Sequence, residues 1–134
     1  MKSKTHAGTI LLADDEPLVR KNACAILGEA GFQVIEAVDG QDALVRYQTY
    51  HDDISLVIMD IHMPRLSGLS AAAKIKELDP LSKIIFISGS TLQAPSEEVA
   101  DGFLTKPLRG RDLLNTVQRV LRETRLQGPY ANGL

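Results

Sequence analysis

Cysteine is nearly absent from this sequence: Cys24 is the only one in 134 residues, so no internal disulfide can form and a reducing, cytoplasmic setting is expected. Cys24 itself reads as a small apolar filler on a helix. Long hydrophobic runs are missing too. The longest, such as Ile84 to Ile87, fall far short of a bilayer span, so no membrane insertion is expected. Met1 to Gly8 is polar and lacks the apolar stretch of a signal peptide. There is no surplus of charge: 15 basic residues face 17 acidic ones, a net charge of −2, which gives no electrostatic case for direct binding of nucleic acid or an anionic membrane. Internal repeats and low-complexity segments are absent as well. What remains is a length that suits one domain able to bury a real core without staples.

Within it, short apolar runs alternate with segments of helical period. Thr9–Ala13 reads as a strand, and Pro17–Ala30 as a helix ended by Gly31. Phe32–Val38 reads as a strand closed by the turn pair Asp39-Gly40. Gln41–Gln48 is helical, Ser55–Met59 a continuous apolar strand, and Leu69–Leu78 a helix stopped before Pro80. Lys83–Ser88 and Gly102–Thr105 are the fourth and fifth strands. A last helix, about Arg111 to Glu123, puts Leu113, Leu114, Val117, Val120 and Leu121 on one face. Uniformly apolar strands alternating with helices predict a parallel sheet covered on both faces, a three-layer α/β domain over residues 9–123. Residues 1–8 form an N-terminal extension, and 124–134 a tail or linker.

The charged residues fall at one kind of place. The first strand runs into Asp14-Asp15-Glu16, Asp60 follows the third, Ser88 ends the fourth, and Lys106 follows the fifth. All are carboxyl ends, where doubly wound sheets collect ligands. Taken singly, each has an ordinary reading: an Asp after a strand often caps the next helix, Ser88 suits a turn, and Lys106 suits a surface. Taken together, the carboxylates of Asp14, Asp15 and Asp60 repel unless something positive sits among them. Mg²⁺ is the economical partner, since it takes oxygen ligands and needs few carboxylates. With Lys106 as a second positive charge and Ser88 as a hydroxyl, such a pocket suits a phosphoryl group. One carboxylate would be the nucleophile, giving an aspartyl phosphate.

The stretches LLADDEP, VIMDIHMPRLSG, IIFISGS and GFLTKP, in that order from about Thr9 to Glu123, resemble the response-regulator receiver domain of two-component signalling, in particular its chemotaxis-regulator-like members. The resemblance implies a flavodoxin-like three-layer sandwich around a doubly wound five-stranded parallel sheet. It implies that Asp60 accepts phosphate from a phosphohistidine on a sensor histidine kinase or its phosphohistidine domain. Mg²⁺ would be held directly by Asp15 and Asp60, through water by Asp14, and by the backbone carbonyl of His62. Lys106 would pair with Asp60 and then with the phosphoryl oxygens, and Ser88 would hydrogen-bond one of those oxygens. Phe103 occupies the aromatic switch position, without the hydroxyl of a tyrosine. The domain would catalyse only its own phosphorylation and dephosphorylation, and would signal to an effector protein or to a kinase covalently attached to it.

One departure is visible. TLQAPSEEVAD, between Ser88 and Lys106, leaves room only for a shortened fourth helix, a compact spacing similar to receivers of hybrid kinases. The usual output face, and any homodimer built on it, includes that segment. Three roles stay open, a stand-alone regulator, a phosphorelay intermediate or a domain cut from a longer protein, and with no effector domain after Glu123 a transcription factor is not expected of the chain as it stands. Three other readings compete. A haloacid-dehalogenase-type phosphatase would carry an Asp where His62 stands. A flavodoxin-like FMN carrier would not place Asp14-Asp15-Glu16 beside a phosphate. An interaction module without phosphotransfer would have lost a pocket residue.

Overall fold

The computed structural model describes residues 7–89 and 100–123. Five strands, β1 (Gly8–Ala13), β2 (Phe32–Ala37), β3 (Ile54–Asp60), β4 (Ile84–Ser88) and β5 (Gly102–Thr105), form one sheet in the order β2-β1-β3-β4-β5. Every pairing is parallel. Three described helices connect successive strands, α1 (Pro17–Glu29), α2 (Gly40–Tyr50) and α3 (Gly68–Leu78), and a fourth, α4 (Gly110–Arg122), follows β5. The expected shortened helix within Thr91–Asp101 falls on residues 91–99, outside the described residues as are 1–6, 90 and 124–134, except for its end at 100–101, which is not helical.

Alternation along each strand builds two cores, because successive side chains leave a sheet on opposite faces. Ile10, Leu12, Leu56, Ile58, Ile85 and Ile87 face one side, against Ala23 and Leu27 of α1 and Leu113, Val117 and Val120 of α4. Leu11, Ala13, Val57, Met59, Ile84 and Phe86 face the other, against Ala43 and Tyr47 of α2 and Ala71, Ala72 and Ile75 of α3. Burial on both faces is why these strands read as continuous apolar runs. The result is a doubly wound, flavodoxin-like three-layer sandwich, as expected.

The helix ends show where local reading fell short. Asp39-Gly40 is not a free turn: Asp39 is the N-cap of α2, accepting the Asp42 N–H at 2.7 Å, so the helix starts at Gly40 and continues to Tyr50. An Asp before a helix and an Asp in a turn use the same side-chain-to-backbone bond, which sequence does not separate. Gly40 is required by contact, since a Cβ there would lie 1.8 Å from the Leu66 carbonyl oxygen. No helix among the described residues is long and apolar enough to cross a membrane.

Candidate functional site

Strand register assembles the site. Met59 pairs with Ala13 of β1, Asp60 pairs with Ile87 of β4, and Ser88 pairs with Thr105 of β5. The ends of β1, β3, β4 and β5 therefore lie side by side, and the residues at or just past those ends share one edge. Asp14 and Asp60 are buried there, and Asp15 is exposed at the rim. One carboxylate oxygen from each of the three lies within 4.8 Å of the others.

Lys106 enters from the opposite side of the pocket. Its ammonium lies 3.3 Å from Asp60 Oδ2, 3.2 Å from Asp14 Oδ2 and 2.5 Å from Glu16 Oε1. Hydrogen bonds run to Glu16 and Asp60. Asp14 Oδ2, fully buried, accepts no aligned hydrogen bond despite the ammonium beside it. The Lys106 N–H donates to the Ser88 carbonyl at 2.8 Å, which ties the ends of β4 and β5 together under the pocket.

The electrostatics follow from crowding. Burial, and next the charge of Asp14, push the Asp60 carboxyl up to about 6 against the pull of Lys106. Burial also raises Asp14, opposed by the Glu16 N–H and by Lys106. For Lys106 burial favours the neutral form, but the carboxylates of Glu16, Asp14 and Asp60 outweigh it and hold the ammonium charged. A pocket in which three aspartates and Glu16 crowd the Lys106 ammonium, with Asp14 Oδ2 buried and met by an ion-pair contact alone, has the oxygen-rich donor set that suits a hard divalent cation. The residues present fit Mg²⁺.

The loop after Asp60 is held on three sides. The His62 N–H donates to Asp60 Oδ1 at 3.3 Å, while the His62 side chain is exposed. Gly68 packs so closely that a Cβ would lie 1.9 Å from the Asp60 carbonyl oxygen. Arg65 takes a left-handed backbone (φ 69°), and its Nε reaches the buried carboxylate of Asp39 at 2.8 Å. Arg65 thereby joins the β3–α3 loop to the cap of α2. Asp39 is held below the ordinary carboxylate value by the Asp42 N–H first and by Arg65 next. Ser88 is buried at the end of β4, and Phe103, half-buried opposite Phe86 in register, packs on the core that faces α2 and α3.

Two residues at this edge had no assigned role in the sequence reading. Arg20 of α1 donates to the Asp14 carbonyl at 2.6 Å and to Glu36 of β2 at 3.0 Å, pinning the loop that carries both aspartates. A cation in the first turn of a helix runs against the macrodipole, and that was its signal. Glu16 is the other. It completes the acidic triplet, and its carboxylate accepts from the Lys106 ammonium.

A parallel doubly wound sheet with three aspartates and a lysine at its carboxyl edge defines a class of signalling domain, and the comparisons agree. The family described as "Response regulator receiver domain" matches residues 10–118, and the chain belongs to that family. It is 35% identical over 116 residues to the response regulator receiver protein CpdR of Brucella abortus, covering 84% of this chain and 95% of that one. It is also 35% identical over 124 residues to the positive alginate biosynthesis regulatory protein of Pseudomonas aeruginosa, covering 88% of this chain but 49% of the relative, so it spans about half that regulator's length. Among solved structures, the CheX-CheY-BeF3-Mg complex from Borrelia burgdorferi superimposes with a TM-score of 0.82 at 28% identity, covering 88% of this chain and 92% of that one.

Proposed function

We propose that this receiver domain accepts a phosphoryl group from a phosphohistidine of a sensor kinase onto Asp60, with Mg²⁺ in the acidic pocket, and passes the signal on through a shift at the Ser88 and Lys106 strand ends. The observation that carries it is the meeting of Asp14, Asp15 and Asp60 within 4.8 Å, with the Lys106 ammonium 3.2 Å from Asp14 and 3.3 Å from Asp60. Asp15 and Asp60 would hold the ion directly, with Asp14 through water and the His62 carbonyl completing the set. When bound, the ion supplies positive charge among the carboxylates and phosphoryl oxygens.

The chain's own residues account for the rest. An Asp60 carboxylate oxygen attacks phosphorus; the O–P bond forms as the P–N bond of the phosphohistidine breaks, and the leaving imidazole takes up a proton. Lys106 neutralises charge on the phosphoryl oxygens, and the Ser88 hydroxyl donates to one of them. Because Ser88 and Lys106 are joined through the backbone, drawing one toward the new anion moves the ends of β4 and β5 together. The added charge, about −1.5 to −2, biases a two-state equilibrium on that side of the sheet, with Phe103 following. In this reading the domain is a phosphoacceptor that catalyses only its own phosphorylation and hydrolysis. Its partners are a phosphohistidine protein upstream and an effector, or an attached kinase, downstream.

Intact-protein mass after incubation with acetyl phosphate, with and without Mg²⁺, tests the reading. A Mg²⁺-dependent gain of one phosphoryl group, absent in Asp60→Asn, is expected. A folded domain that gains nothing from acetyl phosphate or from a phosphohistidine donor overturns it in favour of a receiver-shaped interaction module.

A further inference from the structure

The third acid of Asp14-Asp15-Glu16 is left over once the two aspartates are assigned, and the structure gives it a use. Glu16 is the N-cap residue of α1, a position whose side chain ordinarily bonds the helix's free N–H groups, yet it makes no such bond. Pro17 follows at N1. A residue before proline is confined to extended backbone, and Glu16 sits there with φ −90° and ψ 111°. Its own N–H is taken by Asp14 Oδ1 at 2.8 Å. Held at both sides, Glu16 sends its carboxylate across the mouth of the pocket to the Lys106 ammonium, 90 residues away in sequence.

That contact competes with the chemistry. Lys106 has three N–H donors, and in the resting domain two of them go to Glu16 and Asp60. Phosphorylation converts Asp60 from a carboxylate to an acyl phosphate and presents new anionic oxygens to the same ammonium. Lys106 then turns from Glu16 to the phosphoryl group, or is shared between them. Glu16 is half-exposed, so the bond is weak enough to break.

We propose that Glu16 is a positioning residue for Lys106: its carboxylate holds the lysine at the pocket mouth in the resting domain and restrains phosphorylation until that bond is given up. The inference rests on the phosphoacceptor reading of Asp60. Glu16→Gln keeps the size and the extended backbone before Pro17 but removes the charge. It is expected to speed Mg²⁺-dependent labelling by acetyl phosphate about two- to five-fold, the range set by a partly exposed ion pair, with an unchanged unfolding midpoint. Glu16→Asp keeps the charge but shortens the arm by one methylene, so it too should label faster. In a Lys106→Ala background, Glu16→Gln should change nothing. The ammonium signal of Lys106 in ¹H–¹⁵N spectra of the unphosphorylated domain should shift on Glu16→Gln, which a purely structural role would not cause.

Three results overturn the inference while leaving the phosphoacceptor reading intact: a wild-type domain that labels while Glu16→Gln labels no faster, an equal gain in the Lys106→Ala background, or Glu16→Asp indistinguishable from wild type. Failure of the wild-type domain to label at all overturns both.

Discussion

The two ends of the sheet treat charge in opposite ways. At the amino end, ionic groups are matched to partners that need them. Asp101 accepts the Ile84 N–H at 2.8 Å and lies 3.6 Å from the Lys76 ammonium, which itself donates to the Ser82 carbonyl. Lys83 closes the last turn of α4 by donating to the Leu121 and Glu123 carbonyls, and Tyr47 donates to Asp79. Among the described residues, the buried side-chain atom without a hydrogen-bond partner there, Ser82 Oγ, is neutral. At the carboxyl end, Asp14, Asp60 and Glu16 all draw on the ammonium of Lys106, and the buried Asp14 Oδ2 has it as an ion-pair partner without an aligned hydrogen bond. The amino end contributes stability. The carboxyl end gives some up by crowding carboxylates together.

The largest expected effect is at Asp60. Asp60→Asn should abolish phosphoryl labelling, and without Mg²⁺ it should stabilise the fold by about 1–3 kcal/mol in urea unfolding, because a repelled, desolvated charge is gone. A variant that unfolds more easily than wild type would erase the contrast between the two ends. Next, Gly68→Ala should cost about 3 kcal/mol, since its Cβ meets the backbone of Asp60 and no flexible side chain can yield. Asp101→Ala should cost about 2 kcal/mol by leaving the Ile84 N–H without its acceptor. Unlike Asp60→Asn, it should leave labelling intact, and a loss of labelling would mean the two ends are coupled.

Smaller effects sharpen the picture. Asp39 carries a depressed value in the folded state, so the folded form binds fewer protons and its contribution is present above the ordinary value of 3.8 and lost as pH falls through the depressed one. Asp39→Asn should therefore cost about 1 kcal/mol near neutrality, and the gap to wild type should close below roughly pH 4, as read from midpoints of thermal unfolding against pH. Least affected should be Arg119→Ala, which removes an exposed i,i+4 pair with Glu123 worth about 0.3–0.5 kcal/mol.

Much of this was legible along the chain. Lys83 to Ser88 read as a strand, found at Ile84–Ser88, because burial on both faces leaves no polar position to interrupt Ile84 to Ile87. Gly31 and Pro80 marked helix ends by backbone sterics alone. The candidate site was legible through strand ends: once Asp14, Asp60, Ser88 and Lys106 were seen to follow strands, a doubly wound sheet left them one edge to share. Asp39 was read as part of a turn because its acceptor role looks the same in both settings, and its bond to Arg65 joins two loops that only packing brings together.

By itself, then, the sequence determined the alternation of strand and helix, the two-sided core and the set of residues gathered at the carboxyl edge, since these follow from period, propensity and parallel topology. Only the tertiary structure decided which of the three consecutive acids does what. Asp14 is buried against the Lys106 ammonium, Asp15 stands exposed at the rim, and Glu16 accepts from Lys106 at the exposed side. Neighbours in sequence have nearly identical chemistry, and their environments are set by contacts with a residue 90 positions away. No local rule carries that distance.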